Sequence, residues 1–207
     1  LYNKKINTTG DITPSYSGLS VSRLKSIKEN FEKHSVEIRP VILIRDPVTR
    51  AQSSVRMNLD RGNYNNVGIP VGEKDYRIAL EHYYKSEHCK IRTSYKEIIE
   101  NAEEVFGPSN IHVQIFETMF SKPNLRALSN FCNVNFDPNF SKVKVYKTRG
   151  QVTTDARVEA EIRAFYGDVY EYCYNNFPET QDVWTQENNP PQIAEFKNRN
   201  ELTGHPS

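Results

Sequence analysis

The stretch Val41-Ile-Leu-Ile-Arg-Asp-Pro-Val-Thr-Arg-Ala-Gln-Ser53 decides the fold of this chain. Its four leading apolar residues form the continuous run typical of a strand covered on both faces in a parallel sheet. Asp46-Pro47 is a helix-start signal, because an aspartate oxygen can cap free N–H groups and proline suits the first helical position. The pattern predicts a strand, a tight junction at Arg45, and a helix.

This junction has the chemistry of an anion site. Ligands of open α/β sheets bind outside the carboxyl ends of the strands. A helix amino terminus there offers free N–H groups and a positive dipole end, and Arg45 adds a planar fork of donors suited to phosphate oxygens. Ser53, eight residues further on, supplies a hydroxyl. The sequence therefore predicts a phosphate site formed by Arg45, Ser53 and the start of the helix.

The chain on either side of the junction alternates between helical and strand patterns. A helical pattern over residues 20–33 precedes the strand, and the junction helix runs to about Arg61, where Gly62 is placed to end it. Residues 63–72, rich in Asn, Gly and Pro, predict a loop, and 111–115 alternate as a second strand. We expect further helices over 75–87, 93–106, 123–132 and 153–176. Because helices separate the strands, parallel pairing and an α/β fold class are predicted.

Composition limits the function classes. A chain of 207 residues and 24.0 kDa predicts one domain. A net charge of +1 argues against nucleic-acid binding through bulk electrostatics. No apolar run approaches the roughly 20 residues that a membrane-spanning helix needs. Cys89, Cys132 and Cys173 lack any Cys-x-x-Cys spacing, so neither a disulfide framework nor a zinc site is predicted, and a reduced, cytoplasmic setting is the simpler interpretation.

Three segments resemble one enzyme family. Arg45-Asp-Pro-Val-Thr-Arg50-Ala-Gln-Ser53 resembles the Arg-x-Pro-x-x-Arg-x-x-Ser motif with which sulfotransferases hold the 3′-phosphate of 3′-phosphoadenosine-5′-phosphosulfate. Gly10-Asp-Ile-Thr-Pro-Ser-Tyr16 resembles the loop that precedes this strand in heparan-sulfate-type and bacterial sulfotransferases. Ile111-His-Val-Gln-Ile-Phe-Glu117 is similar to the late strand and turn of the family. The resemblance covers residues 10 to about 177.

The resemblance implies a fold, a reaction and a set of donor-binding residues. The fold would be a three-layer, P-loop-like α/β domain over residues 1–185, with a central parallel sheet flanked by helices and a poorly structured tail over 186–207. The reaction would move a sulfuryl group from 3′-phosphoadenosine-5′-phosphosulfate to a hydroxyl or amine acceptor, with carbohydrate favoured and no metal required. The implied donor-binding residues are Arg45, Ser53, Lys147, Arg149 and Gly150. Arg50 is expected to be structural and to pair with Asp46 or a neighbouring carboxylate.

Further residues are candidates for the acceptor side. Arg56 and Arg61 project from the junction helix and could meet an anionic glycan, while Tyr64 and Tyr83 could stack on a sugar. Core packing is the other interpretation of the two tyrosines. Asp11 is the candidate base, provided that burial and neighbours raise its pKa toward the working pH. A turn or cap role explains Asp11 equally well.

One feature of the family is absent from these 207 residues. No Gly-x-x-x-x-Gly-Lys-Ser/Thr or similar phosphate-cradling loop occurs in the sequence. Either an upstream segment that carries the loop is not part of this sequence, which we favour, or the chain is a catalytically incomplete module that binds a nucleotide or an anionic glycan. A P-loop kinase is a poorer third interpretation, because magnesium-binding carboxylates cannot be placed. Oligomeric state and acceptor identity stay open.

Overall fold

A computed structural model describes residues 8–64, 67–142 and 155–184. Lys147, Arg149 and Gly150, and the tail predicted over 186–207, lie outside the described residues. No helix within the described ranges is both long enough and apolar enough to span a membrane.

Both predicted strands are present, and they pair in parallel as expected. The prediction that the first strand is covered on both faces is wrong, because Val41 and Leu43 are each 44% exposed. Strand β1 (Val41–Ile44) lies beside β2 (His112–Ile115), with Val41 opposite His112 and Ile44 opposite Ile115. The described ranges form a mostly helical α/β structure around this two-stranded sheet. The three-layer, P-loop-like arrangement is not confirmed, because two strands are too few to define a central sheet with a helical layer on each face.

The helices account for most of the described residues, and several begin at side-chain caps. The junction helix starts where Asp46 accepts a hydrogen bond from the Val48 N–H, and it ends at Gly62, whose φ of 60° lies in the left-handed region that suits glycine. In chain order the α-helices are α1 (Val21–Glu32), α2 (Pro47–Arg61), α3 (Tyr76–Tyr83), α4 (Glu87–Thr93), α5 (Tyr95–Phe106), α6 (Lys122–Phe131), α7 (Ala156–Phe165), α8 (Gly167–Asn176) and α9 (Glu179–Val183).

The single helix predicted over 153–176 is wrong. Its described part is two helices, α7 and α8, separated at Tyr166, whose φ of −104° and ψ of 26° leave the helical region. The Tyr166 hydroxyl is buried and donates to the Tyr84 carbonyl oxygen at 2.6 Å. This contact ties the break to a distant part of the chain. The periodicity continues through it because both helices present apolar residues to one core.

The main core lies between α2 and the helices around it. Val48, Ala51 and Val55 form the buried face of α2, which packs against α3 and α7. Fully burying an aliphatic side chain of this size stabilises a fold by about 1.5–3 kcal/mol. Trp184, which follows α9, is fully buried and lies edge-on to Tyr170 with ring centroids 5.9 Å apart. The last described residue therefore belongs to the core.

Helix α7 lies antiparallel to α2. Near the start of α7, Glu159 accepts a hydrogen bond from Gln52 Nε2 at 2.8 Å. One turn later, Arg163 pairs with Asp46 at 3.3 Å, at the other end of the contact. Residue numbers increase along α7 as those of their contacts decrease along α2, so the first turn of α7 lies beside the middle of α2. This arrangement places α7 alongside the junction that the sequence singled out.

Candidate functional site

Arg45 is held in place from two sides at the end of β1. Its Nε donates to Thr49 Oγ1 at 3.1 Å, and its guanidinium lies over the Phe116 ring, 4.3 Å from the centroid. The terminal nitrogens, Nη1 and Nη2, make no hydrogen bond to any described residue. Burial lowers the pKa of Arg45 below its usual value, although an arginine stays charged at neutral pH. A pre-oriented cationic fork with open donors can grip a planar pair of anionic oxygens.

The amino terminus of α2 differs from our expectation. We predicted that its free N–H groups would face a bound phosphate, but Asp46, Pro47 and Val48 are all buried. Asp46 Oδ1 accepts the Val48 N–H at 3.0 Å and also the Tyr170 hydroxyl. The helix dipole is therefore balanced by this carboxylate. An anion at this junction would be held by side chains and not by the helix terminus.

A ring of hydrogen bonds surrounds this buried junction. Asp46 Oδ2 accepts from Arg163 Nη2, and Arg163 Nη1 donates to the Trp184 carbonyl oxygen at 3.0 Å. The Trp184 indole N–H donates to Glu117 Oε2 at 2.9 Å, and Glu117 Oε1 accepts the Asp46 backbone N–H at 3.1 Å. Burial raises the pKa of Glu117, against the opposing effect of the two hydrogen bonds that it accepts. The ring joins both strand ends to α7 and to the end of the described chain.

Three arginines near the start of α2 form an electropositive group. Arg56 and Arg50 lie close enough to Arg45 to lower its pKa by charge repulsion, while the nearby Glu117 carboxylate opposes them and raises it. None of the three forms an ion pair with a described carboxylate. Our expectation that Arg50 pairs with Asp46 is wrong, because Arg163 occupies that carboxylate. Arg50 Nη1 is buried and has no hydrogen-bond partner within the described ranges. Such an excess of unpaired positive charge favours an anionic ligand.

A line of polar side chains follows α2 away from Arg45. Thr49, Ser53, Arg56 and Asp60 are spaced by four, three and four residues, which places them on one face of the helix within about 60°. We call this set the α2 polar stripe. Ser53 is half-buried, and it lies one turn, or about 6 Å, beyond the threonine that holds Arg45. The predicted partners Arg45 and Ser53 therefore share one side of the junction.

The stripe leads into a surface cavity of about 300 Å³. The cavity lies between the last turns of α2 and the loop that leads to α3, and its wall mixes charges of both signs with aromatic rings. The lining residues are Arg56, Leu59, Asp60, Tyr64, Glu73, Lys74 and Tyr76. Its volume is at the lower end of the range usual for small-molecule sites.

The four acceptor-side candidates separate into two groups. Arg56 and Tyr64 both line the cavity. Arg61 is exposed on the last turn of α2, about 100° around the helix from Asp60, and is not among the lining residues. Tyr83 has no exposed surface, and its hydroxyl lies 3.2 Å from His88 Nδ1 inside the protein. For Tyr83 the core-packing interpretation is the one that the structure supports, since a fully buried ring cannot line an open site.

Asp11 lies in an exposed turn near the start of the described chain. Its carboxylate accepts hydrogen bonds from the Tyr16 hydroxyl and from Thr13 Oγ1, the latter at 2.9 Å. These bonds, with the Tyr16 bond as the larger cause, lower the pKa of Asp11. The proposed base required the opposite shift, produced by burial, so Asp11 fits the turn role better than the catalytic one.

Several residues of the site were not predicted. Thr49, Phe116 and Trp184 contact Arg45 or the hydrogen-bond ring, and Asp60 faces the cavity. The four-three-four spacing from Thr49 was readable from the sequence once the helix was placed. Phe116 and Trp184 carried no local signal, because each meets the junction only through tertiary packing. The described ranges contain no group of three or more His, Cys, Asp or Glu side chains that could ligate a metal ion.

Comparisons with protein-family models, with curated proteins and with solved structures returned no match to this chain.

Proposed function

We propose that this chain is a sulfotransferase that moves a sulfuryl group from 3′-phosphoadenosine-5′-phosphosulfate to a hydroxyl or amine acceptor, with carbohydrate as the favoured acceptor. The observation that carries the proposal is Arg45, whose guanidinium is locked against Thr49 and Phe116 while its terminal nitrogens stay open. The family resemblance of the motif that contains it supplies the nucleotide.

The residues present fit a phosphate. Arg45 provides a fork of donors, Ser53 provides a hydroxyl on the same side of α2, and the orphaned Nη1 of Arg50 adds buried positive charge close by. The 3′-phosphate of the donor would be held by Arg45 and Ser53. We further assign Lys147, Arg149 and Gly150 to the donor, on the resemblance alone.

The acceptor would occupy the cavity at the other end of the stripe. Arg56 and Tyr64 line it, so a guanidinium and an aromatic ring are available to an anionic or hydroxylated sugar. Sulfuryl transfer needs two substrates positioned side by side and positive charge near the leaving phosphate. Both requirements are matched by Arg45 next to the start of the α2 polar stripe and by Arg56 on the stripe itself.

A P-loop-like domain and a cytoplasmic location belong to the same proposal. The α/β arrangement and the parallel pairing of β1 with β2 are compatible with such a domain. Cys89 and Cys173 are buried and free, and burial raises the pKa of the Cys173 thiol to about 12. Thiols in this state are inert and suit a reducing compartment.

Calorimetric titration with 3′,5′-adenosine bisphosphate tests the nucleotide site. We expect saturable one-to-one binding by the wild-type chain, and a loss of about tenfold to a hundredfold in affinity for Arg45→Ala, the usual effect of removing charge-assisted hydrogen bonds. Arg126→Ala is the matched control, because Arg126 also lies over a phenylalanine ring, at 4.4 Å from the Phe136 centroid, but on α6. Its affinity should equal that of wild type.

Absence of binding, or equal losses in both variants, would contradict the proposal. Binding without any sulfuryl transfer would favour the catalytically incomplete module that recognises a nucleotide or an anionic glycan. The main support for this alternative is that no phosphate-cradling loop occurs in the 207 residues.

A further inference from the structure

We propose that Asp60 is the general base that receives the proton of the acceptor hydroxyl. This inference rests on the proposed function and adds to it a catalytic residue that neither the motif nor the family resemblance indicated. It assigns the two ends of the α2 polar stripe to different substrates, with the phosphate of the donor at Arg45 and Ser53 and the acceptor at Asp60.

The position of Asp60 on the stripe supports this role. Asp60 lies seven residues after Ser53, which is two helical turns on the same face and about 10 Å along the axis. Arg56 lies between them, three residues after Ser53. Beyond a donor whose 3′-phosphate is held at Ser53, Arg56 would come first and Asp60 second. In this order Arg56 lies near the sulfuryl group that is transferred, and Asp60 lies near the acceptor.

Asp60 also differs from the other carboxylate of the cavity. Glu73 Oε1 accepts the backbone N–H groups of Lys74 and Asp75 at 2.8 and 2.7 Å, so Glu73 organises the turn that leads into α3. The Asp60 carboxylate forms no hydrogen bond or ion pair within the described ranges. Of these two, Asp60 is the one whose oxygens are open to a ligand.

The neighbouring cations leave Asp60 available. Arg56 precedes it by one turn and Lys74 faces it across the cavity, yet neither forms an ion pair with it among the described residues. Opposite charges four residues apart on a helix often pair. Here they remain separate at the edge of a cavity of about 300 Å³, so the Asp60 oxygens are accessible to a ligand in that cavity.

With Asp60 as the base, each bond and each proton of the transfer is accounted for. As the acceptor oxygen forms its bond to sulfur, the bond from sulfur to the 5′-phosphate oxygen breaks and its electron pair leaves with the phosphate. The hydroxyl proton passes to the Asp60 carboxylate, which later releases it to water. The products are 3′,5′-adenosine bisphosphate and a sulfate ester, and no metal or redox partner takes part.

The test compares Asp60→Asn, which keeps the shape and removes the basic oxygen, with Glu73→Gln at the same cavity. Transfer of radiolabelled sulfuryl to an unsulfated glycosaminoglycan hexasaccharide, N-acetyllactosamine and 4-nitrophenol is measured, together with calorimetric binding of 3′,5′-adenosine bisphosphate. We expect Asp60→Asn to lower kcat at least a hundredfold, the usual contribution of a general base, while nucleotide affinity changes less than twofold. Glu73→Gln should lower kcat at least tenfold less than Asp60→Asn does, and Glu97→Gln, exposed on α5 and outside the cavity lining, should leave kcat unchanged.

A second readout is independent of turnover. Carbodiimide coupling of an amine to exposed carboxylates, followed by mass spectrometry, should modify Asp60 in the free protein, and saturating hexasaccharide together with 3′,5′-adenosine bisphosphate should protect it. Glu97, exposed on α5, is the control that stays reactive.

The outcomes separate the two proposals. If the nucleotide binds but Asp60→Asn keeps kcat within threefold, or if Glu73→Gln is the variant that loses turnover, the role of Asp60 is overturned and the nucleotide site stands. If the wild-type chain fails to bind the nucleotide, the proposed function itself fails. When the protein is assayed with any native sequence that precedes residue 1, binding without transfer to any of the three probes overturns both the transferase activity and the base, and leaves only a nucleotide-binding module.

Discussion

The two ends of helix α2 carry an aspartate each, and the two aspartates have opposite environments. Asp46, at the amino end, is fully buried and has hydrogen bonds from Val48, Tyr170 and Arg163. Asp60, near the carboxyl end, is exposed at the wall of a cavity and has no partner among the described residues. The same side chain is therefore a structural anchor at one end and an available ligand group at the other.

This difference shows how one helix can have a structural role at one end and a binding role at the other. Hydrogen bonds that join Asp46 to Arg163, Arg163 to Trp184 and Trp184 to Glu117 hold the amino end, although the buried Arg163 Nε has no partner within the described ranges. Together with the bond from the Asp46 N–H to Glu117, they fix the backbone that carries Arg45. The carboxyl end is open, and its charges are not used to hold the fold. Rigid placement of a binding group next to an accessible surface is the arrangement that precise recognition requires.

The largest expected change in the free energy of unfolding comes from replacing Asp46, the structural anchor. Asp46→Ala leaves the partly buried Arg163 guanidinium and the buried Tyr170 hydroxyl without their acceptor and removes the cap of α2, so we expect a loss of about 3–5 kcal/mol in the free energy of unfolding. Asp60→Ala is the matched change at the open end and should stay within about 0.5 kcal/mol. Urea unfolding measures both values. Similar losses in the two variants would remove the distinction between the ends of the helix.

An intermediate effect is expected at the last link of the ring. Trp184→Phe keeps an aromatic ring in the core but removes the indole N–H that Glu117 Oε2 accepts. An unsatisfied buried acceptor costs about 1–3 kcal/mol, and the smaller ring adds to that loss. Tyr64→Phe, which removes a polar group at the cavity end, should change the free energy of unfolding by less than about 0.5 kcal/mol. An unchanged free energy of unfolding in Trp184→Phe would show that the hydrogen-bond ring contributes little to stability.

The smallest effect concerns pH. Burial raises the pKa of Glu117 above its usual value of 4.5, so the folded protein holds this proton more tightly than the unfolded chain does. The contribution of Glu117 to stability is thus present below pH 4.5 and is lost as the pH rises through the raised pKa.

Glu117→Gln removes that contribution. The slope of unfolding free energy against pH just above 4.5 should become more positive, by at most about 1.4 kcal/mol per pH unit. Urea titrations of wild type and variant across pH 4–7 would measure it. An unchanged slope would mean that the pKa of Glu117 is not raised in the folded protein and that its carboxylate is more accessible to water than its hydrogen bonds indicate.

Local patterns predicted the elements that depend on local physics. Both strands, the start of α2 at Asp46-Pro47 and its end at Gly62 are confirmed, because caps, proline and glycine act through neighbouring backbone. The interruption at Tyr166 was missed, since a hydrogen bond to a residue 82 positions away marks it. Periodicity reports which residues face a core, but it does not report where a helix ends within that core.

The site divides in the same way. Arg56 and Tyr64 line one cavity. Helix spacing places Ser53 one turn after Thr49, which accepts the Arg45 Nε–H, and the shared phosphate contact of Arg45 and Ser53 stays a prediction. For Tyr83 and Asp11 the sequence left two interpretations open, and the structure supports core packing for Tyr83 and a turn role for Asp11. The sequence could not decide between them, because the burial of a side chain and the hydrogen bonds of a carboxylate depend on the folded surroundings. The sequence marked Asp46 as a helix cap, but it did not show that Asp46 is buried in a hydrogen-bond ring while Asp60 is exposed at a cavity.

The amino-acid sequence by itself determined that an apolar strand ends at an arginine, that a capped helix begins there, and that polar residues recur along one face of that helix. These properties follow from side-chain size, polarity and spacing, which act over one or two turns. Only the tertiary structure decided which carboxylate is sealed, which is open, and which nitrogens of Arg45 stay free. Those outcomes depend on Phe116, Arg163 and Trp184, which are distant in sequence and reach the junction only when the chain has folded.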